Sequence, residues 1–173
     1  PTPFDAIVHC SAVHADASIT NMVRVNSEGT VRALELAKAC KAKTFIYLST
    51  VSVNGEIQPE TVDELTSIIN PSPYGISKYL GELAIKDYPI RAMTIRCCGV
   101  IGNGAHRNWL SRVLNSAQLG GEIAIFHPEA QFNNAVHVSD LCQFICQLIG
   151  NDDWDGQETV TIAADGMSTV WNV

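Results

Sequence analysis

The chain has 173 residues, 46% of them hydrophobic and only 17% charged, with a formal net charge of -7. That length suits one domain with a real core, and the acidic balance without any Lys/Arg cluster excludes nucleic acid and anionic membrane as partners. No apolar run approaches the ~18 residues of a membrane span and no basic-then-apolar leader opens the chain, so a cytoplasmic protein is expected.

Asp5 to Cys10 is a short apolar run of the kind a buried parallel strand shows. It breaks at Ser11-Ala12, where small side chains let a ligand approach the backbone at the strand's carboxyl end. Helical spacing follows from about Thr20 to Ala42, interrupted by Asn26 and Gly29. Thr44 to Ser49 (TFIYLS) is a second strand, rich in aromatic and β-branched residues. Thr50 to Asn70 has no clear period and ends at Asn70-Pro71, which reads as a loop facing an active site.

A helix then opens with Ser72 as N-cap and Pro73 at its first position and runs to about Asp87. Arg91 to Cys97 makes a third strand, and Gly99, Gly102 and Gly104 punctuate the next turn. A helix from Asn108 to Gln118, a strand from Glu122 to Phe126 and an extended piece at Ala135 to Val138 follow. Ser139 would cap a helix from Asp140 to Ile149, Glu158 to Ala164 is a last strand, and Ser168 would cap a helix running to Val173. Strands alternating with helices imply parallel βαβ units, so the fold class is α/β.

Cys10, Cys40, Cys97, Cys98, Cys142 and Cys146 lie in apolar segments without CxxC spacing, and the five histidines lack metal-ligand spacing. Neither a metal site nor a disulfide framework is expected. Cys142 and Cys146 share a helical face and read as small core residues.

The stretch with chemistry in it is Tyr74 to Lys78. Four residues apart, the phenol and the ammonium project from one helix face. A nearby positive charge favours phenolate, so a lowered Tyr74 pKa is expected, as a general acid/base needs. A surface pair at helical spacing is the plain alternative.

Taken together, His9-Cys10-Ser11-Ala12, Asn26-Ser27-Glu28-Gly29-Thr30, Thr50-Val51-Ser52-Val53-Asn54-Gly55 and Tyr74 through Lys78 resemble, in order and spacing, the extended short-chain dehydrogenase/reductase family of the NAD-dependent epimerase/dehydratase type. Arg96 to Gly102 and Val136 to Asp140 add weaker matches. The resemblance implies an NAD- or NADP-dependent oxidoreductase, epimerase or dehydratase acting on a sugar, possibly nucleotide-linked, or on another carbonyl or hydroxyl compound. It implies Tyr74 as acid/base, Lys78 as the group that binds the nicotinamide ribose, and Thr50 as the hydroxyl on the reacting oxygen, with Ser49 or Ser52 as alternatives. Ser11, Ala12, Ser49, Cys97 and Cys98, together with Tyr74 and Lys78, would line the cofactor. Asn26 would support the lysine, or simply bond its own helix backbone. Pro71, Asn103, His106, Asn108 and Trp109 are candidates for substrate contact, or turn and packing residues.

The family's Gly-rich phosphate turn has no counterpart here, which implies a fragment: a partial Rossmann-like doubly wound parallel sheet, from the family's fourth strand onward, with part of the small substrate domain. Residues 1–104 would carry the catalytic half of the dinucleotide-binding domain, and residues 105–173 a mixture of substrate-side segments and the late strand and helix. A homodimer is expected, through the exposed edge of the first strand or the helices bearing Asn26 and Tyr74. Gly99 stands where many nucleotide-sugar enzymes of the family have Asn, and Asn133 near their diphosphate-binding Arg, which favours other sugars, aldehydes or ketones as much as nucleotide sugars. A non-catalytic dinucleotide sensor or scaffold of the same fold, or a chain inactive on its own, are the other readings.

Overall fold

The structure, a computed structural model, describes residues 3–14, 16–57, 61–105, 108–132, 134–166 and 168–173. It divides into two compact units, Pro1–Cys97 with Ile145–Thr161, and Cys98–Phe144 with Ile162–Val173.

The first unit is built on a sheet with strand order β1 (Ala6–His9), β2 (Thr44–Thr50), β3 (Arg91–Cys97) and β6 (Gln157–Ile162). β1 pairs with β2 and β2 with β3, both in parallel, in a register that aligns His9 with Tyr47 and Thr50 with Cys97. β2 and β3 are almost wholly buried, as near-continuous apolar strands of a covered parallel sheet should be. Between β1 and β2 the expected long helix is three pieces: α1 (Ile19–Met22), a π-helical segment Val23–Glu28, and α2 (Gly29–Ala39). α3 (Pro73–Lys86) starts as its sequence dictates, with Ser72 Oγ accepting from Gly75 N at 3.2 Å and Pro73 in the first turn. Leu34 and Ala37 of α2, Phe45 and Tyr47 of β2, Ile85 of α3 and Ala92 of β3 form the core.

The second unit holds β4 (Gly99–Ile101) paired in parallel with β5 (Ala135–His137), α4 (Trp109–Gln118), and the start of α5 (Val138–Gly150). Asn108 caps α4, its Oδ1 accepting from Ser111 N at 2.8 Å.

Four expectations change. Glu122 to Phe126 is not a strand: this short, mostly apolar run has no strand beside it among the described residues, and Phe126 lies 77% exposed. The last helix is a single 3-10 turn, Val170–Asn172, entered from Thr169 rather than capped by Ser168. α5 begins at Val138, so Ser139 lies inside it. Cys142 and Cys146 are exposed, because the buried stripe of α5 is Leu141 and Ile145, one position round the helix. Among the described residues no helix is long and apolar enough to cross a membrane.

Candidate active site

The carboxyl ends of β1, β2 and β3 converge beside the start of α3, where doubly wound sheets hold their ligands. Lys78 projects here and is 2% exposed, with its ammonium 4.2 Å from the centroid of the Tyr47 ring. Burial lowers its pKa to about 8, against the opposing pull of Glu82, Cys97 and Cys10. Tyr74, one turn earlier, is half-buried, with the His14 ring 5.1 Å away.

The expected lowering of the Tyr74 pKa is not found. Burial raises it, and the neighbouring Cys97 raises it further. Spacing alone promised a charge beside the phenol, but the Lys78 ammonium rests on Tyr47, and desolvation of the phenolate prevails.

The loop after β1 is tied to this site by Asn26, which is fully buried in the π-helical segment. Its Oδ1 accepts from Val13 N at 2.8 Å, and its Nδ2 donates to Val13 O at 3.0 Å and to Ser77 Oγ at 2.9 Å. Ser77 Oγ in turn donates to Tyr74 O at 2.8 Å. Asn26 therefore bridges two segments rather than bonding only its own helix. Ser11 and Ala12, just upstream of Val13, are exposed.

Thr50 ends β2 and caps the 3-10 turn Val51–Asn54, its Oγ1 accepting from Ser52 N and donating to Ser52 Oγ, both at 3.2 Å. Ser49 is buried and donates to Glu82 Oε1 at 2.5 Å, which commits its hydroxyl away from any substrate. Glu82 also accepts from Arg96 at 3.1 and 2.8 Å. Cys97 is buried, with Sγ 3.8 Å from Ile95 O and in electrostatic reach of both Tyr74 and Lys78. Among the described residues no cluster of three or more His, Cys, Asp or Glu could hold a metal ion.

In the second unit, Cys98 is half-buried and burial raises its thiol pKa. A cavity of about 390 Å³ is lined by Gly99, Trp109, Phe132, Asn134 and others, with the Trp109 and Phe132 rings 5.9 Å apart. None of its described lining residues is charged. Asn108 borders it, but its Nδ2 is engaged by Val100 O at 2.7 Å. Asn103 is exposed and Pro71 half-buried, while His106 and Asn133 lie outside the described residues.

Residues 2–163 match the sequence model of the NAD dependent epimerase/dehydratase family. The chain belongs to that family. It is 29% identical over 154 residues to a dTDP-glucose 4,6-dehydratase of Streptomyces niveus, covering 84% of this chain and 46% of that protein. An uncharacterized UDP-glucose epimerase, YtcB of Bacillus subtilis (strain 168), is 29% identical over 153 residues, covering 86% and 48%. The chain thus spans about half the length of the curated relatives it matches. The crystal structure of UDP-glucuronic acid 4-epimerase from Bacillus cereus in complex with NAD superposes with a TM-score of 0.84 at 23% identity, covering 97% of this chain and 57% of that one. The α/β fold of this epimerase/dehydratase family member is therefore the expected Rossmann type.

Sequence reasoning missed Tyr47, Glu82 and Arg96 at the site. Glu82 carried a signal, standing four residues beyond Lys78 on the same helix face, and Tyr47 shares a strand face with Ser49 by the two-residue period.

Proposed function

We propose that Tyr74, Lys78 and Thr50 form the proton-transfer centre of an NAD- or NADP-dependent epimerase, dehydratase or oxidoreductase acting on a sugar, with nucleotide-linked sugars as the first candidates. The observation that carries this reading is the buried Lys78 ammonium one turn from Tyr74, which no carboxylate pairs among the described residues. A buried cation of that kind fits the hydroxyls of a cofactor ribose, and the exposed Ser11 and Ala12 fit close approach of the same ligand. NAD, when bound, supplies the hydride acceptor. The names of the relatives, a dTDP-glucose dehydratase and a UDP-glucose epimerase, support the substrate class.

Each residue then has a distinct task. Lys78 donates to ribose hydroxyls, and Ser11, Ala12, Cys97 and Cys98 line the cofactor. Tyr74 holds its proton at neutral pH in the chain alone, ready to deliver it to a carbonyl oxygen; taking a proton from a hydroxyl requires further positive charge nearby. Thr50 or Ser52, which already share hydrogen bonds, orients the reacting oxygen. Residues 1–104 act as the catalytic half of the dinucleotide-binding domain and residues 105–173 supply substrate-side segments. A non-nucleotide sugar or carbonyl compound is the second substrate reading, favoured by Gly99 standing where many nucleotide-sugar enzymes of the family have Asn.

The test is a titration with NADH followed by nicotinamide fluorescence, beside turnover of dTDP-glucose and UDP-glucose in the presence of NAD. Saturable binding lost in Lys78→Ala, with turnover lost but binding kept in Tyr74→Phe, is expected. Equal binding by Lys78→Ala, or unchanged turnover in Tyr74→Phe, overturns the assignment, and binding without any turnover marks a dinucleotide sensor.

A further inference from the structure

A buried ammonium is costly unless something opposes its desolvation. Glu82 opposes that desolvation through its charge, but no carboxylate forms a contact ion pair with Lys78 among the described residues. Glu82, one turn further along α3, binds Arg96 through both oxygens and accepts from Ser49 through one. The other groups near Lys78 are His9 and Cys10 at the end of β1, Cys97 at the end of β3, and Tyr74 on α3. None of these carries a permanent negative charge, and burial together with Lys78 lowers the His9 pKa, so His9 is neutral at physiological pH.

What meets the ammonium is the face of Tyr47, with Nζ 4.2 Å from the ring centroid. Tyr47 is itself fully buried and held from three directions. Its hydroxyl donates to Lys78 O at 3.2 Å. The His9 ring stacks on it, with centroids 5.7 Å apart and planes 15° apart, and His9 Nε2 lies 3.2 Å from Thr30 Oγ1. Gly81 leaves the space that the phenol fills: a Cβ there would fall 2.8 Å from Tyr47 Cζ and closer still to the hydroxyl.

We infer that Tyr47 is the positioning residue for Lys78: its ring holds the ammonium where a counter-ion would otherwise stand, and its hydroxyl fixes the turn of α3 from which Lys78 projects. A carboxylate in that place would occupy the N–H donors with directional bonds. A ring face attracts the charge without consuming a donor in that way. The donors are therefore free for ligand hydroxyls, a consequence that rests on the cofactor role proposed for Lys78; the placement itself does not.

The experiment is a pH titration of the lysine side-chain resonances in the isotope-labelled chain, with the Lys78 signal identified by its loss in Lys78→Arg. Tyr47→Phe keeps the ring and should leave the Lys78 midpoint in place. Tyr47→Leu removes the ring and should lower the midpoint by roughly half a unit to one unit. Should Tyr47→Leu fail to fold, phenylalanine and its mono-, di- and trifluorinated forms at position 47 keep the shape and weaken the ring face stepwise. The midpoint should then fall with each fluorine. A midpoint unmoved by Tyr47→Leu or across the fluorinated series overturns the inference, as does a Tyr47→Phe shift as large as that of Tyr47→Leu. No cofactor is present, so failure of NADH to bind would count against the proposed function and leave this result standing.

Discussion

Asn26 Nδ2 donates to Ser77 Oγ at 2.9 Å, joining the π-helical segment to α3 between Tyr74 and Lys78. The same amide clasps Val13 through both of its backbone groups, and Ser27 Oγ adds a bond to Ser77 O at 2.9 Å. A π-turn widens the helix by one residue, and such bulges concentrate at functional sites. Here it lets consecutive side chains, Asn26 and Ser27, both reach α3. Asn26→Leu keeps the branching of the side chain but not its polarity, strands the Val13 N–H and C=O, and should cost about 2–4 kcal/mol in urea unfolding. Asn26→Asp keeps one acceptor for Val13 N but sets an anion against Val13 O, and should fare no better. A loss under about 1 kcal/mol in either variant would show that water replaces the amide and that the bridge is dispensable.

Lys78 makes the stability of the chain depend on alkaline pH in a defined direction. Its folded pKa of about 8 lies below the ordinary 10.5, because burial disfavours the ammonium. Below pH 8 both states are protonated and the penalty is present in full; between 8 and 10.5 the unfolded state binds more protons, so this group's contribution to stability rises with pH. The full window is worth at most about 3 kcal/mol. Cysteines and tyrosines titrate in the same range, so the informative quantity is the difference from Lys78→Met. That variant should be the more stable at neutral pH, with its advantage shrinking as pH rises from 8 to 10.5. A difference that stays flat across the window would mean that the ammonium is solvated in the folded chain.

How far the sequence discloses this site depends on the distance over which each feature is decided. The N-cap of α3 is a local matter of Ser72, Pro73 and Gly75, and β2 announces itself by a run of aromatic and β-branched residues, so both are legible in one pass. The Tyr74 and Lys78 pair is equally plain as spacing. The direction of the Tyr74 shift is not, because it turns on depth of burial and on where the Lys78 ammonium comes to rest, 31 positions away in sequence on Tyr47. Glu122 to Phe126 shows the converse: a short apolar run can suit one strand, but a sheet needs a second beside it. Cys142 and Cys146 share a helical face but not the buried one, since periodicity does not say which stripe has a neighbour to pack on.

One face offers a candidate surface for the expected homodimer. Ile19 of α1, Val23 of the π-helical segment, and Ile76, Leu80 and Leu83 of α3 are large apolar side chains left exposed on elements that pack together, α1 and the π-helical segment each against α3. Patches of this kind mark interfaces more often than chance exposure does. Leu80→Glu should shift the chain from dimer to monomer in sedimentation or light scattering without loss of helical circular dichroism. A monomeric wild type at micromolar concentration, or a dimer indifferent to Leu80→Glu and to Ile76→Glu, would remove this face from consideration.

Glu82 and Arg96 form the most deeply buried ion pair among the described residues, with side chains 4% and 7% exposed and a 2.8 Å contact. Such pairs seldom add net stability over apolar residues of equal volume, but breaking one leaves an uncompensated charge. This pair is also incompletely satisfied, since Arg96 Nη1 is buried without a hydrogen-bond partner among the described residues. Arg96→Met should therefore cost about 3–5 kcal/mol by orphaning Glu82, while the double variant Glu82→Leu, Arg96→Met should regain most of that loss. Glu82 also favours the charged form of Lys78, so Glu82→Gln should lower the Lys78 titration midpoint while Ser49→Ala should leave it nearly unmoved. That contrast separates two tasks: if stability is regained in the double variant but the Lys78 midpoint stays low, the acidic partner is kept for the charge it lends the lysine rather than for the fold. If instead Glu82→Gln leaves the Lys78 midpoint unmoved, the electrostatic account of Glu82 fails.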